Sequence, residues 1–239
     1  MTPRRRAPGR SRKRKVAIFD IDGTIFRSSL LIEVTEALIE EGVFPPALRR
    51  VYAREYRHWL DRKGSYEDYI DAVVRAFAGR IKGIHYRDFL KVASRVVAQH
   101  KDRTYIYTRD LVKSLKRKGY YLLAISKSPK GIVEGFARSM GFDKVYGFLY
   151  ETDTRGRYTG NLLYTDLMAD KAKILQRFLA KENLAIAGSV GVGDTESDIA
   201  FLKLVSRPIC FNPNKKLYAY ARRAGWRVVV ERKDVVYEL

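Results

Sequence analysis

The stretch that decides the fold is Val16-Ala-Ile-Phe-Asp20-Ile-Asp22-Gly-Thr24. Its first four residues form an apolar run that is too short for a helix and is typical of a strand buried on both faces of a parallel sheet. Asp20 and Asp22 follow where this strand should end. Open α/β sheets bind ligands beyond the carboxyl ends of their strands, so the pair predicts a site. An Asp-Gly pair is also common in solvated turns, and the rest of the chain must decide between these interpretations.

Length, cysteine content and hydropathy narrow the class of protein. The chain has 239 residues, 46% of them hydrophobic, which is enough for one α/β domain with a smaller insert. Its single cysteine excludes an intramolecular disulfide framework and fits a reducing cytosol, so we expect a cytoplasmic protein. No apolar run in the sequence reaches the roughly 20 residues that a membrane-spanning helix needs, so no membrane span is expected.

The formal net charge is +20, and a large part of it lies at the start of the chain. Residues 1–15 are rich in Lys and Arg and hold no acidic residue, which is typical of a disordered basic tail. Such a tail attracts nucleic acid electrostatically without reading its sequence. It can equally serve as a solubilising arm. Non-specific nucleic-acid contact through this tail is therefore one of two interpretations that stay open.

The region that follows the first motif is predicted to be helical. Residues 27–103 contain four stretches in which apolar residues recur at helical spacing, and their Tyr and Trp residues are interpreted as packing groups. Around this insert we expect a core domain formed by residues 16–26 and 104–239.

From residue 104 onward, short apolar runs alternate with helical patterns. The predicted strands are 120–125, 145–150, 185–192, 208–211 and 228–230, the predicted helices are 105–118, 132–140, 170–183, 199–204 and 217–224, and 155–160 is the turn of a hairpin. Strands that alternate with helices indicate an α/β fold, a doubly wound parallel sheet with right-handed crossovers.

Polar side chains follow several of these strands at one edge of the predicted sheet. Ser126 ends one strand, Asp194 and Asp198 follow another, and Lys171 begins a helix. With the first pair, this gives four carboxylates in one cleft, where they repel and raise each other's pKa. A divalent cation and a positive side chain can keep such a cluster ionised. The oxygen-rich donor set suits Mg²⁺, and Lys171 is the internal cation.

These motifs resemble those of the haloacid dehalogenase-like (HAD) phosphatases, in the branch with a helical cap that includes phosphoserine phosphatase. The resemblance covers nearly the whole chain after the tail. It implies a Rossmann-like HAD core and identifies the insert, residues 27–103, as the α-helical cap domain. Asp20 to Thr24 match the first motif, Ser126 the second, Lys171 the third, and Gly193-Asp194 with Asp198 the fourth.

The resemblance implies a Mg²⁺-dependent hydrolase of a small phosphorylated metabolite. Asp20 would attack phosphorus to give an aspartyl phosphate, and Asp22 would act as general acid and then general base. Ser126 and Lys171 would bind the phosphate oxygens. The resemblance also implies a metal site formed by Asp20, the main-chain carbonyl of Asp22, and Asp194.

Three further residues have expected roles. The hydroxyl or main-chain N–H of Thr24 is expected to position the phosphoryl group. Asp198 is expected to orient Lys171 or metal-bound water, and a simple helix N-terminal acid is the alternative. Lys127 adds positive charge beside the phosphate site, and a solvated loop lysine is an equally open interpretation.

The sequence departs from phosphoserine phosphatase where that enzyme binds its substrate. Ser29 stands where that enzyme carries an acid, and Asp71 stands roughly where it carries an arginine. These departures disfavour phosphoserine as the substrate. A phosphatase acting on nucleic-acid ends, a non-catalytic nucleic-acid-binding module and a phosphotransferase are the remaining alternatives.

Overall fold

The computed structural model describes residues 13–239, so most of the expected tail lies outside the described residues. The structure differs from the expected boundary at Arg14 and Lys15, which begin the first strand and do not belong to a tail. The Arg14 guanidinium donates a hydrogen bond of 3.0 Å to the carbonyl of Tyr120 and lies over the ring of Tyr121. These contacts hold the start of the strand against its neighbour.

One eight-stranded sheet organises the described part of the chain. Its strands are β1 (Arg14–Phe19), β2 (Tyr121–Pro129), β3 (Lys144–Thr152), β4 (Tyr158–Leu163), β5 (Leu184–Gly193), β6 (Arg207–Phe211), β7 (Arg227–Arg232) and β8 (Val235–Glu238). They lie in the order β4-β3-β2-β1-β5-β6-β7-β8. β1 pairs in parallel with β2 and β5, and β4 and β8 run antiparallel to their neighbours at the edges. The predicted doubly wound parallel sheet is confirmed.

The helices cover both faces of this sheet. They are α1 (Leu30–Glu40), α2 (Ala53–Leu60), α3 (Tyr66–Ile81), α4 (Tyr86–His100), α5 (Ile106–Arg117), α6 (Lys130–Ser139), α7 (Thr165–Met168), α8 (Lys171–Lys181), α9 (Ile199–Leu202) and α10 (Lys215–Ala224). Alternate residues of β1 point to opposite faces. Ala17 and Phe19 therefore join the core under α1 and α3 to α6, whereas Val16 and Ile18 join the core under α7 to α10.

The helices α1 to α4 lie between the first two strands in the chain, where the helical insert is expected. They pack on the core through α6, which contacts both α1 and α4. The β3–β4 hairpin also reaches them, because the N–H of Gly83 donates to the carbonyl of Tyr158 and the N–H of Tyr158 donates to the carbonyl of Ile84. One continuous apolar cluster runs from the insert into this face of the sheet.

The sheet extends further than the sequence pattern indicates. β2 continues to Pro129, beyond the expected end at residue 125, and β8 is an additional strand that forms a hairpin with β7. A bilayer needs a longer and more apolar helix than any found in residues 13–239.

Candidate active site

A buried lysine joins two of the predicted carboxylates. Asp20 follows the last residue of β1, and Lys171 begins α8, whose N-terminus is capped by Asp170. The Lys171 Nζ atom lies 2.5 Å from Asp20 Oδ1 and 2.5 Å from Asp198 Oδ1. All three side chains are buried. The structure thus brings together residues from three separate motifs, as expected from the strand ends.

Asp198 also fixes the turn that carries Asp194. Its Oδ2 atom accepts hydrogen bonds from the N–H groups of Asp194, at 3.0 Å, and of Thr195, at 3.1 Å. Both of its oxygens are therefore in use. The turn needs Gly193, because a Cβ atom there would lie 2.5 Å from Asp198 Oδ2.

Asp194 lies directly opposite the first motif. Its Oδ1 atom accepts a hydrogen bond of 3.2 Å from the hydroxyl of Thr24. Gly23 has a φ of +76°, and a Cβ atom there would lie 2.2 Å from Asp194 Oδ2. Glycine at this position therefore serves both the turn and the close approach of the carboxylate.

Asp22 is held in a cradle of hydroxyl and main-chain donors. Its Oδ1 atom accepts from the N–H of Leu30, at 2.6 Å, at the start of α1. Its Oδ2 atom accepts from the hydroxyls of Ser126, at 2.5 Å, and Ser128, at 2.9 Å. The structure therefore places Ser126 against Asp22. Ser128 was not predicted as a site residue, although the two-residue spacing of the serines on β2 places them on the same face.

Lys127, which lies between these serines, is exposed, in contrast to its two buried neighbours. Ser29 is buried and precedes α1 as its N-cap residue, whereas Asp71 is exposed on α3 of the helical insert. The two positions therefore differ in their exposure to solvent. Asp71 lines a cavity of the helical insert together with Arg54 and Arg75.

Burial and mutual repulsion make this cluster resist full ionisation. Burial raises the pKa of Asp20 to about 7, and the Lys171 ammonium opposes that shift. Burial, Asp20 and Asp198 raise the pKa of Asp194 well above its usual range. Burial also raises the pKa of Asp22, against the effect of its hydrogen-bond donors. A cation would relieve this repulsion.

The donor chemistry of the cluster fits a divalent cation. Oxygen atoms of Asp20, Asp194 and Asp198 lie within 4.8 Å of one another. Both oxygens of Asp198 already accept hydrogen bonds, which leaves Asp20 and Asp194 as the side chains that can supply ligands. Carboxylate oxygens are hard ligands that suit Mg²⁺. One lysine offsets only part of the charge of four carboxylates, so the residues present fit such an ion.

The insert touches the core beside this cluster. The N–H of Asn214 donates to the carbonyl of Asp194 at 2.8 Å, and its side-chain amide donates to Glu67 Oε1 at 2.7 Å. The same amide contacts Glu196, which also pairs with Lys216. Two carboxylates thus share one amide, and burial together with Glu196 raises the pKa of Glu67. No local sequence pattern indicates this contact.

The chain matches the family model described as haloacid dehalogenase-like hydrolase over residues 17–203. A histidinol-phosphatase of Neisseria meningitidis is 27% identical over 221 residues, which are 90% of this chain and 98% of that protein. A phosphoserine phosphatase of Mycobacterium tuberculosis is 24% identical over 222 residues, which are 89% of this chain and 69% of that protein. These similarities run along nearly all of the chain after its basic start.

A solved structure shows the same fold. A phosphoserine phosphatase solved as a phospho-aspartyl intermediate analogue matches with a TM-score of 0.59 at 20% identity, over 93% of this chain and 96% of that one. The chain therefore belongs to the haloacid dehalogenase-like hydrolases, in the branch that includes the phosphoserine phosphatases. The expectation of a HAD-family phosphatase is confirmed at this level.

Proposed function

We propose that the protein is a Mg²⁺-dependent phosphomonoesterase that acts on a small phosphorylated metabolite through an aspartyl phosphate on Asp20. One observation carries the proposal. Asp20, Lys171 and Asp198 form a buried contact at the carboxyl end of β1, with Asp194 opposite and Asp22 two residues away. This arrangement supplies a nucleophile, a cation for the phosphate and a separate proton donor.

Asp20 is the nucleophile in this proposal. Lys171 holds the Oδ1 atom, so we assign the attack on phosphorus to Oδ2. A bond forms between Oδ2 and phosphorus as the bond between phosphorus and the alcohol oxygen breaks. Water then attacks the aspartyl phosphate, which releases phosphate and restores the carboxylate of Asp20.

Asp22 moves the protons. Its raised pKa supports a protonated form that can donate to the leaving alcohol oxygen. After that donation, the Asp22 carboxylate takes a proton from the attacking water. Leu30, Ser126 and Ser128 hold it in position by their hydrogen bonds.

The remaining residues bind the phosphate group or the metal ion, or they orient other side chains of the site. Lys171, positioned by Asp198, stabilises negative charge on the transferring phosphoryl oxygens. Lys127 is assigned to the phosphate side of the site. Phosphate binding by Ser126 and Thr24 would require their hydroxyls to leave Asp22 and Asp194, to which each donates its one proton. Asp20, the main-chain carbonyl of Asp22, and Asp194 would hold Mg²⁺. When bound, Mg²⁺ screens the negative charge of the carboxylates from that of the phosphate.

Transfer to an acceptor alcohol is the closest alternative to hydrolysis, and analysis of the products with an added alcohol distinguishes the two reactions. Action on nucleic-acid ends depends on the basic tail, of which residues 1–12 lie outside the described residues. Loss of binding on deletion of that tail, with a steep dependence on salt, would support it.

The test measures phosphate release from an aryl phosphate and a metabolite panel that includes histidinol phosphate and phosphoserine. Asp20→Asn keeps the shape of the side chain and removes the nucleophile. We expect its rate to fall at least about 100-fold, and chelation of Mg²⁺ to stop the wild type. Asp110→Asn, at an exposed aspartate on α5, is the matched control. Equal rates in wild type and Asp20→Asn would overturn the proposal.

A further inference from the structure

A buried threonine of α5 contacts the loop of the first motif. The hydroxyl of Thr108 donates a hydrogen bond of 2.9 Å to the main-chain carbonyl of Thr24, and both residues are fully buried. The N–H of Tyr105, which precedes α5, donates to the carbonyl of Ile25 at 3.0 Å. Two consecutive carbonyls of the loop are therefore held by the start of one helix.

The same loop borders the proposed metal site. The hydroxyl of Thr24 donates to Asp194 Oδ1, and the carbonyl of Asp22, two residues earlier, is assigned to the ion. The loop is tight, because the carbonyl of Ile21 accepts the N–H groups of Thr24, at 3.3 Å, and of Ile25, at 2.9 Å. A displacement of the Thr24 carbonyl in such a closed, buried turn also moves the Asp22 carbonyl.

A buried carboxylate that the proposed chemistry does not use anchors α5 itself. Glu231 of β7 is 8% exposed, and its two oxygens accept the N–H groups of Ile106, at 3.0 Å, and Tyr107, at 2.8 Å. These are the first two residues of α5, whose N–H groups have no partner within the helix. The N–H of Glu231 donates in turn to Asn212 Oδ1 at 2.9 Å. Glu231 therefore fixes the start of α5, and with it the hydroxyl of Thr108, relative to the sheet.

Two routes of contacts connect Asp194 with the start of α5. One leaves the Asp194 side chain through the hydroxyl of Thr24 and reaches α5 at Thr108. The other leaves the Asp194 carbonyl, which accepts the N–H of Asn214 at 2.8 Å, two residues beyond the side chain that accepts the N–H of Glu231. The spacing between the first motif and Asp194 is therefore supported by contacts that lie outside the proposed ligands of the ion.

We propose that Thr108 is a positioning residue for the Mg²⁺ site, and that Glu231 acts with it by fixing the start of α5. By holding the loop of the first motif, Thr108 sets the distance between the Asp22 carbonyl and the Asp194 carboxylate before an ion binds. This inference rests on the proposed function and goes further, because it assigns part of the affinity to residues that do not touch the ion. Partners that orient metal ligands contribute about 10- to 100-fold to metal affinity.

The test measures Mg²⁺ binding to the full chain by calorimetry, without substrate. Thr108→Val keeps the shape of the side chain and removes the donor to the Thr24 carbonyl, so we expect the affinity to fall about 10-fold. Phosphate release at limiting Mg²⁺ should fall with it and recover at saturating Mg²⁺, whereas Thr108→Ser, which keeps the hydroxyl, should bind nearly as the wild type does. Thr35→Val is the matched control, because Thr35 is also fully buried and donates to a main-chain carbonyl, that of Leu31, within α1.

The outcomes separate this inference from the proposed function. Wild-type affinity in Thr108→Val, an equal loss in Thr35→Val, or a Thr108→Ser variant as weak as Thr108→Val would overturn the inference while the proposed function stands. Glu231→Gln turns an amide group towards one N–H of α5, so it should also lower the affinity, and it takes the place of Thr108→Val if that variant does not fold. Unchanged affinity in Glu231→Gln would overturn the inference as well. A wild type that binds no Mg²⁺ would overturn the proposed function and this inference together.

Discussion

The carboxylate cluster of the core and the contact between cap and core are held in different ways. In the cluster, one buried ammonium lies 2.5 Å from each of two buried carboxylates. At the contact, the partly exposed amide of Asn214 is shared by Glu67 and Glu196. A buried ion pair loses several kcal/mol when one partner is removed, whereas an exposed pair contributes about 1 kcal/mol or less. The difference indicates that loss of a single partner should destabilise the carboxylate cluster far more than the polar contact of Asn214.

Removal of the buried ammonium should have the largest effect. Lys171→Met leaves Asp20 and Asp198 buried without their cation, so we expect the free energy of unfolding to fall by about 3 kcal/mol or more. Phosphate release should fall at least about 100-fold. Urea unfolding and steady-state kinetics measure these effects. Lys173→Met, on the exposed face of the same helix, is the control, and equal stability of the two variants would contradict the account of the cluster.

A methyl group at Gly23 should weaken the binding of Mg²⁺ to the proposed metal site. Gly23→Ala places a Cβ atom against Asp194, whereas Gly42→Ala, at a similar φ of +73°, meets open space. Both variants should lose about 1 kcal/mol of stability from the backbone conformation. Only Gly23→Ala should also lose Mg²⁺ affinity, by about 10-fold, in a calorimetric titration. Equal affinities in the two variants would show that Asp194 does not hold the ion.

The effect of Mg²⁺ on stability should grow with pH. The pKa of Asp20 is raised to about 7 in the metal-free fold, chiefly by burial, so this group contributes stability below its ordinary pKa of about 4. That stability is lost as the pH rises through about 7. Mg²⁺ favours the ionised form, so the rise in Tm that it causes should be larger at about pH 8 than at about pH 5. The same rise at both values would refute this explanation.

The smallest effect is expected at the contact between cap and core. Asn214→Asp keeps an oxygen to cap α10 through the N–H of Leu217 but places a third carboxylate beside Glu67 and Glu196. The free energy of unfolding should change by about 1 kcal/mol or less, while KM rises several-fold and kcat is nearly unchanged. Addition of Glu67→Gln to this variant should lower KM part of the way back to the wild-type value. A change in kcat alone would assign Asn214 to the chemistry.

The core site could be predicted because its information is local. Asp20, Ser126 and Asp194 each follow an apolar run, and a parallel sheet brings the carboxyl ends of such runs to one edge. The parallel sheet therefore brings short motifs that are far apart in the sequence into one cluster. Lys171 and Asp198 belong to that cluster. The same alternation of strands and helices predicted the fold itself.

The other features depend on tertiary contacts. The Arg14 guanidinium donates to the carbonyl of Tyr120, just before the neighbouring strand β2, and the local sequence around Arg14 does not indicate this contact. Glu67 lies in a helical pattern that gives no sign of a partner, and its hydrogen bond with Asn214 follows only from the docking of α3 on the core. Periodicity identifies which residues face inward but not which of them border a site.

The central claim is the covalent intermediate on Asp20. The most direct measurement is to quench the enzyme during turnover with Mg²⁺ and substrate, reduce the acyl phosphate with borohydride, and map the modified residue by mass spectrometry. The account predicts homoserine at position 20 in the wild type, only when substrate is present, and none in Asp20→Asn. Modification at another residue, or an unmodified Asp20 in an enzyme that is turning over, would contradict it.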